Sequence, residues 1–285
     1  MKLLDQWNCK QNVAGLAFDT TASNTGHKTA ACVSLQKKLG RPLLWFACRH
    51  HVGEIVLADV WKVLGIEKSS STKIVLFAKL KENWDGLGGP TFEAKDLLTH
   101  QHGENASLIE FYKSLSSKKF PRGDYKELVD LSLLYLGEHQ DEVKFARPGA
   151  LHQARWMSKL LYSIKIQVLS KQLNGVLPDT IQISLEQLAS LKRFVDFAVL
   201  VYIPWWFKCP IAADAPVNDF NFIKDVMKYS SIDQQCGAAA LKAISRHTWY
   251  LTEELVPLCL FSSNTCRNTK EAIAKKIMDE DKKVQ

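Results

Sequence analysis

The chain of 285 residues has no C-x-x-C pair, no internal repeat, and no apolar run near the ~20 residues of a membrane helix. Each absence excludes something. Its seven cysteines (Cys9, Cys32, Cys48, Cys209, Cys236, Cys259 and Cys266) are odd in number and scattered, which argues against a disulfide framework and for a reducing compartment. The longest apolar stretch, around Phe197 to Phe207, is about half a membrane span and is interrupted by Pro204, so no membrane partner is expected. Near the start, Asp5 intervenes before the apolar core of a signal peptide, and an intracellular protein is expected.

What is present describes a folded chain. With 46% hydrophobic and 24% charged residues it falls among globular proteins, which excludes wholesale disorder and supplies material for one large or two intimate domains. The formal charge of +7 suits an anionic partner such as nucleic acid, although many basic proteins bind none.

The first part reads as alternating strand and helix. Val13 to Phe18 is a short apolar run ending at Asp19, helix follows from about His27 to Leu39 with Gly40 as its cap, and "LLWFAC" begins a second strand at Leu43. A second helix is predicted from His50 to Leu64, stopping at Gly65. Lys68 to Phe120 reads as irregular, with a Ser run at Ser69 to Ser71, a turn "DGLGGP", a polar stretch "HQHGEN" and one helix, Thr72 to Asn83. From Gly123 the pattern is helical: Leu128, Leu131, Leu134 and Tyr135 share one face, and Trp156, Leu160 and Ile164 another. Ser184 with Gln187 forms a capping box for a very apolar helix that Pro204 is expected to end. Further helices are predicted at Asp219 to Tyr229, Ile232 to Arg246, Thr248 to Phe261 and Asn268 to Asp281.

Several residues carry chemistry, and each reads two ways. Asp19, at the carboxyl end of a strand, sits where α/β proteins place ligands, yet Asp and its Thr and Ser neighbours are also ordinary turn and cap residues. Cys48 and His51 have C-x-x-H spacing, half of a zinc set, or else they simply occupy a strand-to-helix junction. Arg155 suits either a phosphate contact or an acidic partner, with Trp156 beside it as core. The tryptophans of "YIPWWFKCP" read as packing residues or as a stacking platform for bases. Glu253 and Glu254 are adjacent acids on a predicted helix, of which one can face the core. Lys37-Lys38, Lys118-Lys119 and Lys275-Lys276 are small basic clusters of the kind that decorates solvated faces.

Taken together, "FDTTASNTG", "CRHHVGEIVL" and "ARWMS" resemble, in that order, the motifs of the hAT superfamily of DNA transposases and the proteins derived from it. The resemblance extends over most of the chain and implies an RNase H-like α/β core interrupted by a large helical domain. The fold expected is therefore α/β plus mainly α: a partial RNase H-like segment over 1–67, an irregular connection over 68–122, a helical insertion over 123–246, and helices returning to the core with a charged tail over 247–285.

In such enzymes three acids hold two divalent ions that activate water and then a DNA 3′-hydroxyl. By correspondence Asp19 matches the second acid and Glu254, or Glu253, the third, with Mg or Mn as the ion if the acidic site works. The first acid has no counterpart among the eighteen residues before Asp19. The resemblance thus implies a truncated, transposase-derived protein without autonomous cleavage or strand transfer, nuclear rather than cytoplasmic, with DNA, another protein or a second copy of itself as partner. Two alternatives stay open: an active metal-dependent nuclease that recruits Asp59, Asp85 or Asp124, and a helical interaction module in which the α/β segment is scaffold.

Overall fold

Strand β1 (Gly15–Phe18) and strand β2 (Leu44–Ala47) lie parallel, with Gly15 opposite Leu44 and Phe18 opposite Ala47. Gly15 is required by this pairing, because a Cβ there would stand 2.6 Å from the Phe46 ring. The computed structural model describes residues 2–26, 28–66, 74–87, 105–138, 145–149, 155–179, 182–248 and 252–284. The Ser69 to Ser71 run and most of "HQHGEN" lie outside them. Among the described residues the fold is mainly helical with this one small parallel sheet.

The helices follow in chain order: α1 (Lys2–Gln6), α2 (Ala22–Thr25), α3 (Ala31–Leu39), α4 (Arg49–Val63), α5 (Val75–Glu82), α6 (Ala106–Ser116) and α7 (Gly123–Tyr135). After these come α8 (Arg155–Val176), α9 (Leu185–Phe197), α10 (Ile203–Lys208), α11 (Ala215–Tyr229), α12 (Gln234–Ser245) and α13 (Arg267–Val284). Two compact units gather this chain. The first holds Met1–Val56, Trp205–Asp225 and Leu241–Gln285; the second holds Leu57–Pro204 and Val226–Ala240. Residues 205–225 and 241–246, which follow the helical stretch in sequence, therefore pack within the unit that carries the strands. No described helix is long and apolar enough to cross a membrane.

Local signals account for many of the ends. Gly40 closes α3 with φ 71°, a left-handed conformation that costs a glycine little, and its N–H returns to Gln36 O. Ser184 Oγ accepts from Gln187 N while Gln187 Oε1 accepts from Ser184 N, the reciprocal box expected before α9. The aromatic centre of the second unit is Trp61, whose ring meets Phe194 edge-on at 4.9 Å and Phe77 at 5.6 Å.

Four expectations are corrected. Helix α6 stands inside a stretch read as irregular, its buried residues Ile109, Tyr112 and Leu115 at three-residue spacing. The helix expected over Thr248 to Phe261 is broken: residues 253–255 form a turn and a 3-10 helix runs Val256–Phe261, because Pro257 denies an N–H to an α-helical ladder. The helix expected from about His27 to Leu39 begins only at Ala31, as α3, and a separate short helix, α2, precedes it over Ala22–Thr25. Finally, Pro204 does not end its helix. A π-helical turn over Ala198–Tyr202 precedes it, Ile203 N–H donates to Ala198 O, and Pro204 continues as the second residue of α10. With no N–H on Pro204, the carbonyl of Val199 loses its partner along the helix, and the buried hydroxyl of Tyr112 donates to it at 2.7 Å.

Candidate functional site

The chain leaves β1 at Asp19 and β2 at Cys48, side by side, since Cys48 N still donates to Phe18 O at 2.8 Å. Asp19 is exposed and turns back on its own loop. Its Oδ1 accepts from Thr21 Oγ1 at 2.6 Å, from Asn24 Nδ2 at 2.7 Å and from Thr21 N at 3.1 Å. The Thr21 hydroxyl first, then the Thr21 N–H and Asn24, hold this carboxyl below the usual carboxylate range, with His51 adding a smaller electrostatic pull. Geometrically this is an Asx turn, the local role that Asp plays before helices.

Cys48 caps α4 through its backbone: its carbonyl accepts from His51 N and Val52 N, while its side chain is exposed. His51 is half-buried with Nδ1 3.4 Å from Glu54 Oε2. The residues between carry more structure than the sequence suggested. Arg49 is buried and its guanidinium grips Asp219, with Nη2 to Oδ1 at 2.6 Å and Nε to Oδ2 at 3.0 Å. Nη1 also donates to Cys209 O at 2.9 Å. His50 stacks on Trp206 with centroids 4.5 Å apart, and burial pushes its imidazole below the ordinary histidine value.

The paired tryptophans are interior residues. Trp205 stacks on Phe222 at 4.4 Å and donates from Nε1 to Asp219 Oδ1 at 2.7 Å, while Trp206 lies under His50. Both are buried, so neither offers a face to a nucleic-acid base, and the packing reading of "YIPWWFKCP" holds.

Glu253 and Glu254 stand exposed in the turn before the 3-10 helix. Leu255 is buried against Val52, with Leu44, Phe46 and Ala47 of the β2 strand packed around them, and so anchors this turn beside the sheet. A hydrogen bond from the Thr252 hydroxyl holds the Glu254 carboxyl below its usual value. Glu254 thereby joins the wall of a cleft of about 620 Å³ together with Thr20, Gln36, Trp45, Arg246 and His247. Thr20 is the residue after Asp19, so one acid lines this cleft and the other adjoins its wall.

The remaining sequence-derived residues lie in the second unit. Arg155 opens α8, and Trp156 behind it is half-buried. Asp85 pairs with Arg147 at 2.9 Å, Asp124 pairs with Arg122, and Asp59 lies on α4. The residues that sequence reasoning missed are Arg49 and Asp219. A faint signal existed, since both interrupt apolar helical faces, but nothing local links positions so far apart.

Asp19 Oδ1 is occupied by three donors, and among the described residues no group of three or more His, Cys, Asp or Glu side chains is placed to hold a metal. Comparison with protein-family models, curated proteins and solved structures finds no match to this chain.

Proposed function

We propose that this chain is a transposase-derived protein of the hAT kind, built on part of an RNase H-like α/β core and without autonomous DNA cleavage or strand transfer. The observation that supports it is the neighbourhood of two motifs. Asp19 of "FDTTASNTG" leaves the carboxyl end of β1 and Cys48 of "CRHHVGEIVL" leaves the adjacent end of parallel β2, where Cys48 N donates to Phe18 O. Carboxyl ends of parallel strands are where α/β folds gather ligands. Inactivity is supported by the state of the acids: Asp19 is tied into its own turn, and Glu254 occupies an exposed turn rather than a helix.

On this reading the protein is nuclear, and its net charge of +7 contributes a DNA-binding function through phosphate contacts. The test uses the full chain and supercoiled DNA with Mg²⁺ or Mn²⁺. No metal-dependent nicking is expected, from the native chain or from Asp19→Ala. Nicking that requires metal and disappears in Asp19→Ala would establish the active-nuclease alternative. DNA affinity should fall steeply with salt; salt-insensitive or absent binding would favour the helical interaction module instead.

A further inference from the structure

In a parallel ladder a strand bonds its neighbour through alternate residues, and the residues between turn their N–H and C=O groups to the opposite edge. Leu44 N donates to Ala14 O and Cys48 N to Phe18 O, so Ala14, Leu16 and Phe18 face β2. Gly15 and Ala17 therefore turn their backbones outward. Among the described residues no strand pairs with β1 on that side, and the backbones of Gly15 and Ala17 find no partner there. The outer edge of β2 differs, because Leu43 N donates to Gln36 Oε1 at 3.0 Å and α3 closes its start.

An unpaired edge is a template for another extended chain, and natural sheets blunt such edges with lysine, proline or a bulge. Val13 to Phe18 holds neither a charge nor a proline, and Ala14 and Ala17 are exposed, so the β1 edge is open. Two strands alone also make a marginal sheet. The segment is complementary to itself in size. Paired antiparallel about Leu16, Gly15 stands opposite Ala17 of a second copy on one face, and on the other Ala14 stands opposite Phe18. Small residues thus meet small ones, or the ring that Trp45 already holds edge-on at 5.6 Å. Leu16 alone meets its own equivalent.

We propose that β1 is a self-association edge: it pairs antiparallel with β1 of a second copy, centred on Leu16, and joins the sheets of both copies into one. Gly15 of each copy exchanges both its N–H and C=O bonds with Ala17 of the other. The same surface serves on both partners, as a two-fold axis requires. The proposal is independent of the transposase ancestry, since none of these contacts needs DNA or a metal.

The test is sedimentation equilibrium of the full chain over about 1 to 200 μM, a range that reads a weak, concentration-dependent association. The native mass is expected to rise from 32.2 kDa toward twice that value as concentration increases. Ala17→Pro removes an outward donor and leaves the ladder to β2 intact, because the Ala17 N–H makes no bond within the chain. It should weaken the dimer at least about tenfold. Leu16→Lys and Leu16→Glu each set like charges face to face and should each be monomeric; mixed, they should form a one-to-one dimer, an outcome that requires pairing across Leu16. Near-UV circular dichroism checks that every variant is folded. A native chain that stays monomeric throughout, an unchanged dimer in folded Ala17→Pro, or a charge-swapped mixture that stays monomeric overturns the proposal.

Discussion

Arg49 and Asp219, 170 residues apart, form a buried ion pair whose side chains are 6% and 0% exposed. Asp219 also accepts from Trp205 Nε1, and Arg49 also donates to the carbonyl of Cys209. One carboxylate thus binds the start of α4 and the residues of α10 to α11 within a single unit. Removing one member of such a pair strands the other charge away from water, and Asp219→Ala should cost about 3 to 5 kcal/mol in urea unfolding. Arg49→Met with Asp219→Leu should lose clearly less than the sum of the single losses, because neither charge is then left behind.

Tyr112→Phe should destabilise by about 1 to 3 kcal/mol, the cost of an unpaired buried carbonyl at Val199. Pro204→Ala restores an N–H near that carbonyl. The same Tyr112 change should therefore cost less in the Pro204→Ala background, a coupling readable from a double-mutant cycle in urea.

Asp233 makes the second unit sensitive to acid. Arg193 clasps its carboxylate at 2.7 and 2.8 Å, and this, ahead of the Cys236 N–H, lowers its pKa to about 2 from 3.8. The unfolded chain therefore binds the proton first. The stabilisation is fully present above about pH 4 and is lost as pH falls through the folded value. Between pH 5 and 2 the urea midpoint should decline more steeply in the native chain than in Asp233→Asn, which should start lower and run flatter.

Gly237 marks a close helix approach. A Cβ there would stand 2.0 Å from Ser230 Oγ and 2.8 Å from Ser230 Cα. Gly237→Ala should destabilise by about 1 to 3 kcal/mol despite the better helix propensity of alanine. Ser230→Gly should recover part of the loss, since the backbone contact remains; thermal unfolding of both variants reports this.

Much of the framework was legible along the chain because caps and phases act over a few residues. Gly40, the Ser184–Gln187 box and the Leu128/Leu131/Leu134 face each ended or oriented a helix as their local chemistry dictates. Helix α6 was missed: Ile109, Tyr112 and Leu115 recur at three-residue spacing, but the polar stretch before them obscured it. For Asp19 the two readings could not be separated by spacing, because a strand-end acid and a turn-forming acid have the same neighbours.

The sequence by itself determined where most helices lie, that two short strands precede the second long helix, and which residue types stand at the strand ends. These follow from side-chain periodicity and backbone preference, which are local properties. Tertiary structure alone decided that Arg49 meets Asp219, that a π-turn carries the helix through Pro204 while Tyr112 satisfies Val199, and that Glu254 shares a cleft wall with Thr20. Each depends on groups brought together by burial from distant positions. A buried charge or carbonyl must find a partner, but no property of its own segment specifies which one.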